Sequence, residues 1–304
     1  MIRDAVVDDR DAIYKLWQTN LSSQSDLELE GFFKCSYPYG RCVVNEVDGK
    51  VVSTIFMQPF ELMLNELPLK VYKLSHLCTH YDYRHYGYMN QCLASVLDEI
   101  DKKSLFCVVE AFNQKWLEDV GFTALTYRRH YDLAAKYFAK ITDVGISDKA
   151  DAEELAQVYA KFVKVFDGYQ RRDVFYFARL LEMVESSEWS LSVYRRQNEI
   201  QGYVLYHIKA DVVEVEECVY LGSIALMKCL KGTLGSASKE IHLQVSECEH
   251  LEKIFPLAIS RKRVHLMGKC MNLALFNKLY NSSAKNVVEA YHLSNKPKML
   301  NVLM

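Results

Sequence analysis

Residues 77–91 read LCTHYDYRHYGYMNQ, and they decide the fold because they join an apolar strand to an amphipathic helix. The residues that lead into the turn are typical of a buried strand: Val71, Tyr72, Leu74 and Leu77. After it, apolar side chains recur at helical spacing: Met89, Cys92, Leu93, Val96, Leu97 and Ile100. The turn between the two patterns therefore opens a helix.

The turn itself, Arg84–Met89, has the composition of an anion-binding turn. Free backbone N–H groups and the positive end of the helix dipole point out of a helix N-terminus, and Arg84 adds a fixed positive charge. A nucleotide-binding loop would need Gly-Lys-Ser/Thr or three glycines near the first strand, and this turn has neither. The pattern predicts a phosphate-binding turn of another kind.

The same stretch resembles the acyl-CoA-binding motif of the GCN5-related N-acetyltransferases (GNAT), roughly Val-Ala-Thr-His-Pro-x-Tyr-Arg-Gly-Gln-Gly-Leu-Met in one branch. A second match, Trp116–Phe122 followed by Tyr127–Tyr131, resembles the family's Phe-Tyr-x-x-x-Gly-Phe helix end and the next strand. The resemblance implies acetyl-CoA (coenzyme A) as cofactor, with its pyrophosphate on the turn amides and its pantetheine arm along the strand. The implied cofactor-binding residues are Leu77, Cys78, Thr79, Arg84, His85, Tyr86, Gly87, Tyr88 and Met89.

Length and composition predict two domains and a cytoplasmic protein. The chain has 304 residues and is half hydrophobic, with no run long enough to span a bilayer and no apolar signal-peptide core. Nine scattered cysteines without a Cys-x-x-Cys pair indicate neither disulfides nor a zinc site. His76 and His80 fall on a strand and its turn rather than on one helical face, so we expect no metal.

Charge is unevenly distributed along the chain. Residues 1–140 carry 16 Lys/Arg against 19 Asp/Glu, residues 141–259 carry 13 against 19, and residues 260–304 carry 8 against 1. We interpret the basic tail as lying on acidic domains, because no aromatic-interleaved basic groove supports nucleic-acid binding. We therefore expect neither nucleic acid nor membrane as a partner, and homo-oligomer formation stays open.

The pattern of the first 140 residues matches the order of elements in the acetyltransferases. A strand at Ile2–Val7 precedes a helix capped by Asp8 or Asp9. The further predicted elements are a helix near Leu27–Phe33, a hairpin of Arg41–Val47 and Val51–Leu64 joined by Asp48-Gly49, a strand at Leu105–Ala111, the Trp116 helix and strands near Ala124–Leu133.

The pattern then restarts after a break at Lys140–Lys149. The second pass predicts a strand at Ile141–Ile146, helices to Phe166 and over Arg172–Glu185, a hairpin of Ser190–Arg195 and Gly202–Lys209, a strand at Val212–Tyr220, a helix near Leu221–Gly232 and a strand near Ile241–Val245. Leu221-Gly222-Ser223 replaces the Arg-x-x-Gly turn, so we expect no coenzyme there.

The predicted fold class is α+β, with tandem GNAT-type mixed sheets flanked by helices and a short C-terminal appendage. The predicted domains are 1–140 with the acyl-CoA site, 141–259 as a degenerate copy, and 260–304 as a basic segment. This layout resembles the Eis-like branch, whose members usually end in a sterol-carrier-like domain. Residues 263–279 resemble its opening and Asn295–Asn301 its close. In that branch the terminal carboxylate enters the first site, which implies Met304 here.

Acetyl transfer also requires a carbonyl-polarising donor, a base and an acid. The resemblance implies the backbone N–H of Cys78 or Leu77 as the donor. Candidates for the base are the Met304 carboxylate, Glu110, and His76 or His80. The family's acid, a Tyr, aligns with Leu117, which leaves water or Tyr131. His85 replaces a family Gly, so we expect a positive φ there.

The predicted acceptor site is an acidic cluster beside aromatic residues in the helical segment that caps the substrate side of the fold. Its members are Asp26, Glu28, Glu30, Trp17, Phe32 and Phe33. Carboxylates beside aromatic rings suit a cationic amine, although an ordinary solvated helix face with an apolar stripe gives the same pattern.

We therefore expect an acetyl-CoA-dependent N-acetyltransferase that acts on a primary amine of a small molecule or peptide. The alternative is a catalytically weak acyl-CoA-binding or interaction protein, which Leu117 favours. Aminoacyl transfer from tRNA is disfavoured by the intact coenzyme motif.

Overall fold

The structure is a computed structural model that describes residues 1–21, 25–236 and 238–303. It divides into two compact units, each discontinuous in sequence. The first unit comprises Met1–Leu125, Leu266–Ser294 and the end of the chain from Val302. The second comprises Thr126–His265 and Asn295–Asn301.

The described residues contain thirteen strands and nine α-helices. The strands are β1 (Ile2–Asp4), β2 (Arg41–Val47), β3 (Lys50–Leu64), β4 (Leu67–Thr79), β5 (Phe106–Glu110), β6 (Thr123–Ala134), β7 (Ile146–Ser147), β8 (Tyr169–Gln170), β9 (Ser190–Arg196), β10 (Glu199–Lys209), β11 (Val212–Tyr220), β12 (Glu240–Ser246) and β13 (Ser260–Cys270). The helices are α1 (Arg10–Asn20), α2 (Asp26–Cys35), α3 (Tyr88–Asp101), α4 (Gln114–Asp119), α5 (Ala152–Val163), α6 (Val174–Ser186), α7 (Ser223–Gly232), α8 (Leu273–Tyr280) and α9 (Val287–Tyr291).

In the first unit the strands follow the order β1-β2-β3-β4-β5-β13. Neighbours pair antiparallel except β4 and β5, which are parallel, and β13 enters through Leu266–Cys270. The β2–β3 hairpin turns at Asp48 and Gly49, whose φ angles are +49° and +75°. This conformation suits Asp-Gly, so the hairpin prediction is confirmed.

Helices α1 and α2 cover part of this sheet with a cluster of buried side chains. The cluster consists of Ile13, Leu16, Trp17, Leu29, Phe33, Cys42, Val44, Phe56 and Cys78. Asp9 is the N-cap residue of α1, as predicted, but its side chain makes no capping hydrogen bond to this helix. Its carboxylate instead accepts from the Val6 N–H at 2.8 Å and pairs with Arg3. That guanidinium holds the pKa of Asp9 below its usual value.

In the second unit the order is β6-β12-β11-β10-β9-β7, with β11 and β12 parallel and the other neighbours antiparallel. Helix α7 packs on this sheet around a core that includes Tyr131, Val215, Leu226 and Leu243. The strand predicted at Ile141–Ile146 is wrong over most of its length, since pairing begins only at Ile146.

The units do not follow the continuous ranges 1–140, 141–259 and 260–304. The reason is strand pairing. Strand β6 pairs with β12 over Arg128–Ala134, whereas Leu266–Cys270 of β13 pairs with β5. Among the described residues, no helix is long and apolar enough to cross a bilayer. The same residues contain no group of His, Cys, Asp and Glu side chains suited to a metal ion.

Candidate functional site

The end of strand β4 separates from its parallel neighbour. Pairing of β4 with β5 runs from Val71 to Leu74, whereas β4 continues along β3 as far as Thr79. The register with β3 shifts between Thr54 and Phe56, so His76 and Leu77 both lie opposite a single residue. Such a β-bulge bends a strand away from its ladder. Within the described residues, β4 is not paired with β5 beyond Leu74, and we call the place between the end of β4 and β5 the first cleft.

The turn after β4 forms an open helix N-terminus. Gly87 is the N-cap of α3 at φ +79°, and no side chain caps the helix. The first intrahelical bond, from the Gln91 N–H to the Gly87 carbonyl at 3.0 Å, leaves the preceding amides without helical acceptors. A Cβ added at Gly87 would meet no atom within 4 Å, so the turn faces open space. The geometry fits an anion such as a diphosphate.

The residues around Gly87 fix the shape and charge of the turn. His85 has φ +69°, which confirms the positive φ expected where His replaces the family's Gly. This backbone conformation costs a non-glycine residue about 1 kcal/mol. The exposed Arg84 donates to the Thr79 carbonyl at 3.3 Å and to Asn20. Tyr86 is 70% exposed, and its ring centroid lies 6.2 Å from that of Tyr88.

The predicted cofactor-binding residues on the strand and the helix lie on either side of the turn. Leu77, Cys78 and Thr79 form the end of β4, and Tyr88 and Met89 begin α3. Burial raises the pKa of the Cys78 thiol to about 12, so this thiol is no nucleophile near neutral pH.

A buried lysine beside the first cleft holds both a carboxylate and the end of the chain. Lys73 Nζ lies 2.7 Å from Glu110 Oε1 and donates to the Val302 carbonyl at 2.6 Å. Lys73 is 6% exposed, whereas the Glu110 side chain is 57% exposed. The backbone two residues before Met304 is therefore fixed in the first unit. Met304 itself lies outside the described residues.

His76 combines two unfavourable features at the bulge. Its φ is +50°, and its Nε2 is buried without a hydrogen-bond partner in the described structure. The centroid of the His76 ring lies 4.1 Å from that of Trp17 and 4.2 Å from that of Phe32. Its Nδ1 lies 2.9 Å from Ser75 Oγ. Burial, with nearby Lys73, lowers the His76 pKa to about 3. The ring is therefore neutral at ordinary pH.

His80 has a local role in the turn. Its Nδ1 accepts from the Asp82 N–H at 3.4 Å, and its ring stacks on Tyr81 at 4.6 Å. The contacts favour a structural role for His80 over a role as a base.

The predicted acceptor residues make contacts that favour structural roles. Trp17 is fully buried and donates from Nε1 to Thr54 Oγ1 at 2.9 Å, and Phe33 lies in the same core. The Glu28 carboxylate accepts from the Ser25 N–H in a capping box at the start of α2. Asp26 accepts from the Gln18 side chain at 2.8 Å, and Glu30 is exposed on the helix surface. A substrate role for the cluster stays a prediction.

Tyr131 lies in the second unit, where other groups engage its hydroxyl. The hydroxyl donates to Glu252 Oε1 at 2.9 Å and accepts from the Leu251 N–H at 3.2 Å. Burial raises the pKa of the phenol. These two hydrogen bonds give the hydroxyl a structural role and disfavour Tyr131 as the acid.

Leu117, which aligns with the family's Tyr, is completely buried in α4. We predict that Leu117→Tyr destabilises the protein by about 1–3 kcal/mol, because the larger side chain and its hydroxyl must enter a closed position. Leu117→Met keeps the volume and should cost less than about 1.5 kcal/mol. Thermal and denaturant unfolding of the two variants measures the difference; equal stabilities would mean that the site is roomier than its burial indicates.

The end of β4 and the N-terminus of α3 both lie within the part of the chain that matches a known protein family. Residues 1–125 match the model of the acetyltransferase (GNAT) domain family. The match ends at Leu125, where the first segment of the first unit also ends. No curated protein matches the sequence.

Solved structures share the fold over most of the chain at low sequence identity. A conserved protein of unknown function from Enterococcus faecalis V583, described as a probable N-acyltransferase, is 17% identical at a TM-score of 0.73 over 91% of this chain and 74% of that one. Eis1 from Mycobacterium abscessus is 13% identical at 0.67, over 91% and 75%. A tandem GNAT protein from the clavulanic acid biosynthesis pathway is 11% identical at 0.61, over 90% and 98%. The predicted α+β tandem GNAT-type fold class is confirmed.

Proposed function

We propose that this chain is an acetyl-CoA-dependent N-acetyltransferase acting on a primary amine, with one acyl-CoA site in its GNAT region. The observation that carries the proposal is the bulged end of β4, which leaves β5 at Leu74 and runs into the open N-terminus of α3. The exposed, uncapped turn suits a diphosphate, and the free strand edge suits an extended pantetheine arm.

The residues that would hold coenzyme A follow from this arrangement. Backbone amides from Gly87 to Met89, with Arg84 nearby, would bind the diphosphate, and Leu77–Thr79 would lie along the pantetheine. Acetyl-CoA supplies the acetyl group as a thioester. The N–H of Leu77 or Cys78 would orient and polarise the thioester carbonyl.

Transfer forms a C–N bond, breaks the C–S bond and requires removal of one proton from the amine. For the base we favour the terminal carboxylate of a chain that ends at Met304, because Lys73 fixes the Val302 carbonyl beside Glu110. Glu110 is the second candidate. The thiolate would take its proton from water, because Leu117 has no hydroxyl and that of Tyr131 is bonded to Glu252.

The acceptor class is a primary amine such as a polyamine, an aminoglycoside or a lysine side chain. We also infer that the chain belongs with the Eis-like tandem proteins, supported by the fold it shares with Eis1 and by the terminal segment held at Lys73. The degenerate role of the second copy and a cytoplasmic location remain predictions.

A second candidate function is that of a catalytically weak acyl-CoA-binding protein. The buried Leu117 favours it, because the usual acid is missing and the position is closed to a hydroxyl. The two functions differ in turnover and not in coenzyme binding.

The proposal is tested by release of free coenzyme A from acetyl-CoA in the presence of spermidine, kanamycin or a lysine peptide. Amine-dependent release with a matching N-acetylated product by mass spectrometry is the expected result. Coenzyme binding without amine-dependent release would support the second candidate instead.

A further inference from the structure

The second unit repeats the separation of strands found in the first cleft. Strands β11 and β12 pair in parallel only from Val212 to Val215, whereas β11 continues along β10 to Tyr220. The register with β10 shifts between Leu205 and Tyr206, as β4 shifts against β3. A second cleft therefore opens between the ends of β11 and β12, and we define it by Glu216–Tyr220 and Gln244–Ser246.

Residues Asn295–Asn301, which we call the C-terminal segment, contact both sides of the second cleft. On the β12 side, Ser246 Oγ donates to the Lys298 carbonyl at 2.8 Å. On the β11 side, Asn301 Nδ2 donates to Glu217 Oε1 at 2.8 Å. Lys298, Met299 and Leu300 are buried, as expected for chain inserted between two strands.

Backbone pairing and an ion pair hold the middle of the C-terminal segment. The Asp167 N–H donates to the Pro297 carbonyl at 2.9 Å, and the Met299 N–H donates to the Asp167 carbonyl at 3.1 Å. The Lys298 ammonium pairs with the Asp167 carboxylate, both side chains being buried. A buried charge pair is weak evidence for stability, but it specifies one register.

A second buried charge pair holds the end of the segment. Arg172 donates to the Asn301 carbonyl at 2.9 Å and to Glu217 at 2.8 Å, and both charged side chains are almost fully buried. The guanidinium lies 4.5 Å and 4.6 Å from the ring centroids of Tyr159 and Tyr176. Arg172 therefore holds the backbone carbonyl of Asn301, and its partner Glu217 accepts from the Asn301 amide.

We propose that the second cleft is a peptide-binding groove whose ligand is the chain's own C-terminal segment, and that this binding positions the residues after Asn301 for the reaction. The segment takes the place between the strands that we assign to the pantetheine arm in the first unit. The helix after β11 starts at an extended Gly222, with φ 169°, instead of a left-handed glycine. The second copy is then a docking module rather than a second acetyltransferase. The positioning claim rests on the proposed function, whereas the groove does not.

Cys248 reports on occupancy of the groove, because its Sγ donates to the Lys298 carbonyl at 3.5 Å. We expect Lys298→Met and Asn301→Ala, each made in the full chain, to raise the rate of Cys248 alkylation by iodoacetamide roughly tenfold. Cys270, also partly buried but in the first unit, is the internal control. Asn295→Ala, at an exposed position of the same segment, should leave both rates unchanged. Thermal unfolding verifies that each variant is folded.

The outcomes separate the two parts of the proposal. Folded variants with unchanged Cys248 reactivity would overturn the groove. Raised Cys248 reactivity with undiminished acetyl transfer would overturn the positioning claim, since we expect transfer to fall at least fivefold at unchanged coenzyme A affinity. If the unmodified chain transfers no acetyl group, the proposed function fails, while the alkylation rates still decide the groove.

Discussion

Gly87→Asp is expected to weaken coenzyme A binding by roughly 100-fold or more, because it places a negative charge at the helix N-terminus that would hold the diphosphate. The structure makes this substitution informative, since an added Cβ meets no atom within 4 Å. Loss of binding would therefore come from charge and not from a clash. Calorimetric titration with coenzyme A measures the effect.

Gly49→Asp is the matched control for backbone strain. Gly49 has φ +75°, close to the +79° of Gly87, and its Cβ position is equally open. Both variants carry a similar strain of about 1 kcal/mol, but only one lies at the start of α3. Equal effects of the two variants on coenzyme binding would refute the anion site. Gly87→Asn, which adds similar bulk without charge, should bind more tightly than Gly87→Asp.

Deletion of Leu303 and Met304 is expected to lower acetyl transfer by on the order of tenfold or more, as for loss of a general base. The deletion removes no residue of the turn or of β4, so coenzyme A affinity should stay nearly unchanged. The contact between Lys73 and Val302 would remain, which leaves the new chain end two residues short. Steady-state kinetics and calorimetry on the same preparation give both values.

Met304→Ala is the control for the deletion, because it shortens one side chain and keeps a terminal carboxylate in a chain of the same length. It should retain most of the activity. Full activity in the deletion variant would remove the terminal carboxylate as the base and make Glu110 the leading candidate. Full activity is the result expected if the last two residues have no role in the reaction, because frayed chain ends commonly tolerate truncation.

Local signals in the sequence were sufficient to predict the turn at Gly87 and the β2–β3 hairpin. The combination of strand, Arg84, Gly87 and amphipathic helix depends on residues close in sequence, as does the Asp48-Gly49 turn. The positive φ of His85 also followed from its position in the motif. These features depend little on the rest of the chain.

Contacts between distant residues could not be predicted. Lys73 interrupts an apolar strand, a signal that a buried partner is required, but nothing in the sequence names Val302, 229 residues away. The assignment of β6 to the sheet of β12, and of Leu266–Cys270 to that of β5, likewise depends on pairing between strands that are distant in sequence. The role of Glu28 could be predicted from the sequence, because Ser25-x-x-Glu28 is a capping-box pattern. A carboxylate engaged in a capping box is less available to bind the acceptor amine.

We propose a single acyl-CoA site per chain, formed by the first cleft and the turn at Gly87. Calorimetric titration of the full chain with coenzyme A tests it most directly. We expect one molecule bound per chain, because the second cleft holds the C-terminal segment and lacks the turn. Two molecules per chain, or no binding, would contradict it.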